Sequence, residues 1–147
     1  MARDPLPRSG VAREELRRHG QFWPPDWLAD GRVGCSLAGG ARTVLEPSVG
    51  AGALLRAIRR ASPDVRIAGC EIDPDALVQA REWGTNPTDI AHVWLGDFMD
   101  ADIPHGQQAI AANPPYARHH RIPFARKVDL VTRSCRITGG RVDGRAG

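Results

Sequence analysis

The chain reads as an α/β protein built on a parallel sheet, and three observations point there. Strand-like and helix-like stretches alternate from Ala41 to Asn113. A glycine-bearing turn, "SVGAG", joins the first strand to the helix behind it. Acidic residues close three successive strands, at Glu46, Glu71 and Asp97. With 147 residues, 41% of them hydrophobic, the chain can bury one modest core, so one domain or part of one is expected.

Residues 1–20 are polar with a short helical pattern. "FWPPDWLADGRVGCSLA" predicts a helix opened by Pro24 and Pro25, with Trp27 and Leu28 facing inward and Gly39 and Gly40 ending the segment. "ARTVLEP" predicts a short buried strand stopped by Pro47, and "ALLRAIRRA" a helix with Leu54, Leu55 and Ile58 on one face. "DVRIAGCEI" predicts the second strand. Asp73-Pro74, a capping residue followed by proline at the first helical position, opens a helix that Gly84 closes. "DIAHVWLGD" predicts a third strand and "QQAIAAN" a fourth, with turn residues Asp102, Pro104 and Gly106 between them. Beyond Tyr116, "IPFARKVDLVTRSC" has helical spacing from Pro123, and the Gly/Arg-rich end, 139–147, is expected to be a disordered tail. Trp83 and Trp94 are expected in packing roles.

No run approaches eighteen apolar residues, and the charged N-terminus lacks the apolar stretch of a signal peptide, so no membrane span and a cytoplasmic location are expected. Cys35, Cys70 and Cys135 lack CxxC or His/Cys spacing, so neither a disulfide framework nor a metal site is indicated, and Cys70 is expected to be inert packing. Residues 117–147 hold eight Lys/Arg against Asp129 and Asp143. Such an end attracts phosphate backbones. Nineteen of the twenty basic residues are Arg, however, which points to coding bias and lowers the weight of that signal.

In "EPSVGAG" the glycines at 50 and 52 have no Cβ, so a ligand can lie against backbone beside a helix N-terminus. A Walker loop would need Gly-Lys-Ser/Thr, and a dinucleotide fingerprint a third glycine where Leu55 stands. Glu71, at the end of the second strand, can take both hydroxyls of a ribose, and by itself also reads as a salt-bridge partner. Asp97 by itself also reads as a loop cap, and "NPP" reads equally as a turn. Together, acids at the carboxyl ends of successive strands mark the edge where open α/β sheets bind ligands.

Glu-Pro-x-x-Gly-x-Gly (46–52), Glu-Ile-Asp-Pro (71–74), Gly-Asp-Phe (96–98) and Asn-Pro-Pro-Tyr (113–116), in this order, resemble the S-adenosylmethionine-dependent N6-adenine DNA methyltransferases of restriction-modification systems. The resemblance runs from about Phe22 to Ile122. It implies a Rossmann-like class I methyltransferase fold with strands in the order 3-2-1-4, in which 21–138 form the N-terminal part of the catalytic domain. Pro24, in "WPPDWLAD", stands where the family has a TPP-like segment. Glu46, Pro47, Gly50 and Gly52 would approach the methionine and ribose parts of the cofactor, and Glu71 would hold the ribose hydroxyls. Ile72 would pack on the adenine, and Asp97 would accept from its amino group beside Phe98.

In the same resemblance Asn113, Pro114, Pro115 and Tyr116 are catalytic. The Asn113 oxygen and the Pro114 carbonyl accept the two N–H bonds of the target amino group, the prolines fix the backbone, and Tyr116 stacks on an adenine flipped out of DNA. His119, His120 and Arg121 read either as DNA-phosphate contacts or as a solvated basic loop. The family's later strands and target-recognition region have no counterpart here, so the chain is expected to be a fragment of marginal stability, or to need a complementing polypeptide. Two alternatives stand beside this reading. One is a glutamine-N5 protein methyltransferase, which also uses NPPY but typically carries an Asp-Leu-Gly-x-Gly-type loop. The other is an inactive or binding-only remnant.

Overall fold

The computed structural model describes residues 24–114 and 122–140. The predicted Tyr116 stack, the polar 1–20 segment, Pro115, His119, His120, Arg121 and the tail beyond Gly140 lie outside the described residues. Two compact units divide the chain, one running to Pro115 and the other from Tyr116 onward.

The first unit carries the sheet. Helix α1 (Asp26–Leu37) precedes strand β1 (Thr43–Glu46), which is followed by α2 (Ala53–Ala61), β2 (Arg66–Glu71), α3 (Pro74–Glu82) and α4 (Pro87–Ala91). Strand β3 (Val93–Leu95), a single 3-10 turn (Phe98–Asp100) and β4 (Ala109–Ile110) complete it. All pairings are parallel and the order is β3-β2-β1-β4, as expected from the sequence. Val44 pairs with Ile67 on one side and Ala109 on the other, which places these three side chains on one face of the sheet.

That face forms the core. Ala29 and Val33, four residues apart on α1, and Leu54, Leu55 and Ile58 of α2 close over Val44, Ile67 and Ala111. Leu55 and Ile58 are fully buried, each burial stabilising the fold by about 1.5–3 kcal/mol. The predicted α2 face is thus correct, but the prediction for α1 is only partly so. Trp27 is 73% exposed, because Ala29 and Val33, rather than the aromatic side chain, define the stripe that meets α2.

The third strand is shorter than its sequence suggests. Asp89, Ile90 and Ala91 belong to a helix, because Asn86-Pro87 repeats the Asp73-Pro74 signal: the Asn86 side chain accepts the Thr88 N–H at 2.9 Å and proline takes the first helical position. Asp73 caps α3 in the same way through the Asp75 N–H at 3.0 Å. Strand β4 likewise keeps only Ala109 and Ile110 of the predicted "QQAIAAN". Trp94 sits on edge strand β3 at 39% exposure, outside the core.

The second unit contains α5 (Phe124–Thr138), entered at Pro123 and ended by Gly139 at φ 65, three residues longer than "IPFARKVDLVTRSC" predicts. Asp129 links to Arg126 at 2.8 Å and to Arg133 at 3.3 Å along its surface. Among the described residues no helix is long and apolar enough to cross a membrane.

Candidate functional site

Strand β1 lies inside the sheet, with β2 on one side and β4 on the other, so the order in which strands are added reverses between β1 and β4. Ligands of open α/β sheets bind outside the carboxyl ends of the strands at such a switch point. Glu46, Glu71, the 48–52 turn and Asn113 all lie at that end, each directly at or just after the close of β1, β2 or β4.

The turn is tied to the end of β2. The Val49 N–H donates to the Cys70 carbonyl at 3.0 Å, and the Gly50 N–H donates to Glu71 Oε2 at 2.6 Å. Gly50 and Gly52 have φ of 54 and 76, the left-handed region that glycine enters without a Cβ penalty, and this lets the chain reverse straight into α2. With its amides engaged in this way, the loop is not a phosphate cradle.

Glu71 also accepts the Ile72 and Asp73 N–H groups through Oε1, both at 2.9 Å. A carboxylate offers about four lone-pair sites. Three are filled by backbone donors, which leaves room for one ligand hydroxyl, or for two if the Gly50 bond exchanges. The sequence expectation of two hydroxyls thus needs the loop to give way. Cys70 beside it donates its thiol to the Gly96 carbonyl at 3.2 Å; burial, reinforced by the Glu71 and Asp97 carboxylates, pushes the thiol up to about 11, so it stays protonated.

Glu46 is fully buried. Its Oε1 accepts from the Ser48 N–H at 3.1 Å and the Ser48 hydroxyl at 3.4 Å, whereas Oε2 has no hydrogen-bond partner among the described residues. Burial pushes its pKa from 4.5 up to about 8, with the Ser48 bonds opposing and the Glu71 carboxylate adding to the rise. The Asn113 backbone amide also favours the charged form.

A testable consequence concerns the sign of the pH dependence. Between pH 4.5 and about 8 the unfolded chain has released the Glu46 proton while the folded chain keeps it. Stability therefore falls as pH rises through this window and levels off above it. Glu46→Gln should remove that slope, as read from urea midpoints at about pH 5 and about pH 8.5.

Asp97 caps the 3-10 turn by accepting the Met99 N–H at 3.0 Å, so the loop-cap reading of this residue holds in the structure. Two large apolar side chains follow the strand-end acids into solvent: Ile72, 66% exposed, after β2, and Phe98, 43% exposed, after β3. Exposed apolar groups flanking a polar site provide faces for a flat ring. Pro24 is buried ahead of α1, Pro47 is half-buried after β1, and Pro114 is exposed after β4.

Asn113 is the site residue whose surroundings the sequence did not indicate. Arg32 of α1 donates through Nη1 to Asn113 Oδ1 at 2.8 Å and to the Ala112 carbonyl at 3.0 Å. Nothing in the spacing of Arg32 marks it, since it lies 81 positions from Asn113.

A second concavity, about 1100 Å³, opens at the other end of the sheet, beside Thr43, Arg66 and His92. Three of its four arginines already serve the fold: Arg59 binds Asp89, Arg60 binds Asp30, and Arg56 donates to the Ala51 carbonyl and Thr85. Its size does not make it the functional site.

With the strand-end acids, the glycine turn and Asn113 gathered at one edge, comparison with known proteins gives a consistent answer. The chain is similar to type II methyltransferases. It is 28% identical over 111 residues to Type II methyltransferase M.AccI of Acinetobacter calcoaceticus, covering 75% of this chain and 20% of that protein. It is 37% identical over 73 residues to Type II methyltransferase M.CvrRI of Paramecium bursaria Chlorella virus XZ-6E, covering 50% of this chain and 18% of that protein. The chain thus spans about a fifth of the length of these relatives.

No protein-family model matches the chain. Two solved structures share the fold, each at a TM-score of 0.50. One is the methyltransferase subunit of a type I restriction-modification system from Streptococcus thermophilus, 22% identical, covering 71% of this chain and 27% of that one. The other is the mitomycin 7-O-methyltransferase MmcR, 24% identical, covering 78% and 32%. The fold is therefore that of the class I methyltransferases, and a fold by itself selects no acceptor.

Proposed function

We propose that this chain carries the cofactor-binding edge and the acceptor-holding loop of an S-adenosylmethionine-dependent DNA methyltransferase acting on the N6 amino group of adenine. The observation that carries the reading is the gathering of Glu46, the glycine turn, Glu71 and Asn113 at the switch point between β1 and β4, in a chain similar to type II methyltransferases.

The residues present fit the cofactor. The buried, unpartnered Glu46 Oε2 suits an ammonium group, which would offset the cost of ionising a buried carboxyl. Glu71 keeps an acceptor site for a ribose hydroxyl, and the exposed Ile72 and Phe98 suit an adenine ring. Bound S-adenosylmethionine would supply a methyl group on a sulfonium, an electrophile that needs no metal.

What the chain itself must do is prepare the nucleophile. The lone pair of an adenine amino group is delocalised into its ring. Two acceptors set tetrahedrally, Asn113 Oδ1 and the Pro114 carbonyl, would draw both N–H bonds out of the ring plane and localise that lone pair. Methyl transfer to that nitrogen would leave it cationic, and one of its N–H protons would then pass to solvent. Pro114 fixes its own φ and offers no donor, so its carbonyl is held in place before the base arrives.

DNA is the proposed partner, and a complementing polypeptide would carry the rest of the domain. Isothermal titration with S-adenosylmethionine tests the cofactor assignment. The expected result is binding that Glu71→Ala weakens at least tenfold, the effect of losing one charge-assisted hydrogen bond of about 1.5–3 kcal/mol. Unchanged affinity in Glu71→Ala would place the ligand elsewhere. Labelled methyl recovered in a glutamine-bearing peptide rather than in DNA would select the protein-modifying alternative.

A further inference from the structure

We propose that Arg32 is a positioning residue for Asn113, setting from α1 the direction in which the acceptor oxygen faces. The proposal rests on the acceptor role assigned to Asn113 above.

Strand β4 approaches the site with little support of its own, since only Ala109 and Ile110 pair with β1. The Ala111 N–H points to the Leu45 carbonyl at 3.0 Å. In a pleated strand the alternate carbonyls, those of Ile110 and Ala112, therefore face away from β1. Both are taken by α1. The Ser36 hydroxyl donates to the Ile110 carbonyl at 3.0 Å, and Arg32 Nη1 donates to the Ala112 carbonyl at 3.0 Å. Ser36 follows Arg32 by one helical turn, so one face of α1 holds the outer edge of the strand where it enters the catalytic loop.

Arg32 then does something that Ser36 does not. The same Nη1 that fixes the Ala112 carbonyl also donates to Asn113 Oδ1 at 2.8 Å. An asparagine amide has two ends of nearly equal size, one accepting and one donating, and its terminal torsion is broad. A guanidinium has no acceptor, so it can bond only the oxygen end. It therefore discriminates between the two flips and sets the oxygen on a known side of the loop. An amide oxygen has two lone pairs, so a guanidinium on one is compatible with a base amino group on the other. The α1 helix packs on α2 through Ala29 and Val33, so this reference point belongs to the folded core.

The test compares wild type, Arg32→Ala and Arg32→Lys by transfer of tritiated methyl from S-adenosylmethionine to duplex DNA, together with 15N spectra of the Asn113 side-chain amide. The expected result for Arg32→Ala is a kcat about tenfold lower with KM for S-adenosylmethionine unchanged, and displaced Asn113 amide resonances. Arg32→Lys, which keeps a cationic donor, should recover part of both. A kcat that rises in Arg32→Ala would overturn the proposal, because the guanidinium would then be competing with the base for Oδ1. Asn113 resonances that stay in place would overturn it as well. If wild type transfers no methyl by itself, the rates report the need for a complementing polypeptide, and the amide spectrum still judges Arg32.

Discussion

Asp89→Ala should cost the fold about 3–5 kcal/mol, read as a fall in the urea midpoint at constant m-value. Asp89 is 1% exposed and receives Arg59 through Nε, at 3.0 Å to Oδ1 and 2.8 Å to Oδ2, and through Nη2 at 2.5 Å to Oδ1. Arg59 Nη1 also donates to the Val65 carbonyl at 2.7 Å, so one guanidinium joins the end of α2, the entry to β2 and helix α4. Removing the carboxylate leaves that cation with its main partner gone. A guanidinium is not deprotonated in proteins, so the side chain cannot escape by losing its proton. Domains of this size are stable by only about 5–15 kcal/mol, so the loss is a large share of the total. Replacing both partners by apolar residues, Arg59→Met with Asp89→Leu, should cost less than Asp89→Ala alone. A midpoint unchanged in Asp89→Ala would mean that the pair is an ornament of the surface.

Asn113→Ala should lower kcat for methyl transfer to adenine about 100-fold or more, with S-adenosylmethionine affinity within a factor of about two of wild type. Alanine leaves the Pro114 carbonyl as the single acceptor, and one acceptor cannot force the amino nitrogen towards tetrahedral geometry. Asn113→Asp keeps an acceptor oxygen, and one that Arg32 can still bind, so it should retain most of the rate. Tritium transfer to duplex DNA measures all three proteins. Equal rates in Asn113→Ala and wild type would remove Asn113 from the chemistry. Equal loss of rate and of cofactor affinity would show a collapsed site in place of a missing acceptor.

The elements that were legible in the sequence are those whose cause is local. Leu54, Leu55 and Ile58 share a helical face by spacing, and they are buried. Asp73-Pro74 announces a helix start by capping chemistry, and the Asp73 side chain makes the cap. The same chemistry at Asn86-Pro87 precedes the run "DIAHVWL", which reads as strand, and in the structure the cap prevails. Asp89 and Ile90 are drawn inward on a helix, and Asp89 meets an arginine thirty positions away. The exposure of Trp27 has a similar origin: hydrophobicity placed it inside, while the small side chains of Ala29 and Val33 made the closer helix contact.

The sequence by itself determined the order of the parts: strand, glycine turn, helix, strand-end acids and the Asn-Pro-Pro loop, together with the parallel sheet that these imply. Their local signals act over a few residues, within one turn or one pleat. Only the tertiary structure decided how the acids are used. Glu71 is largely committed to the Gly50, Ile72 and Asp73 amides, Asp97 caps its own turn, and Glu46 is buried deeply enough to hold its proton to about pH 8. It also decided that Arg32 reaches Asn113. Burial and long-range hydrogen bonds depend on which surfaces the packed sheet brings together, and residue spacing does not encode that juxtaposition.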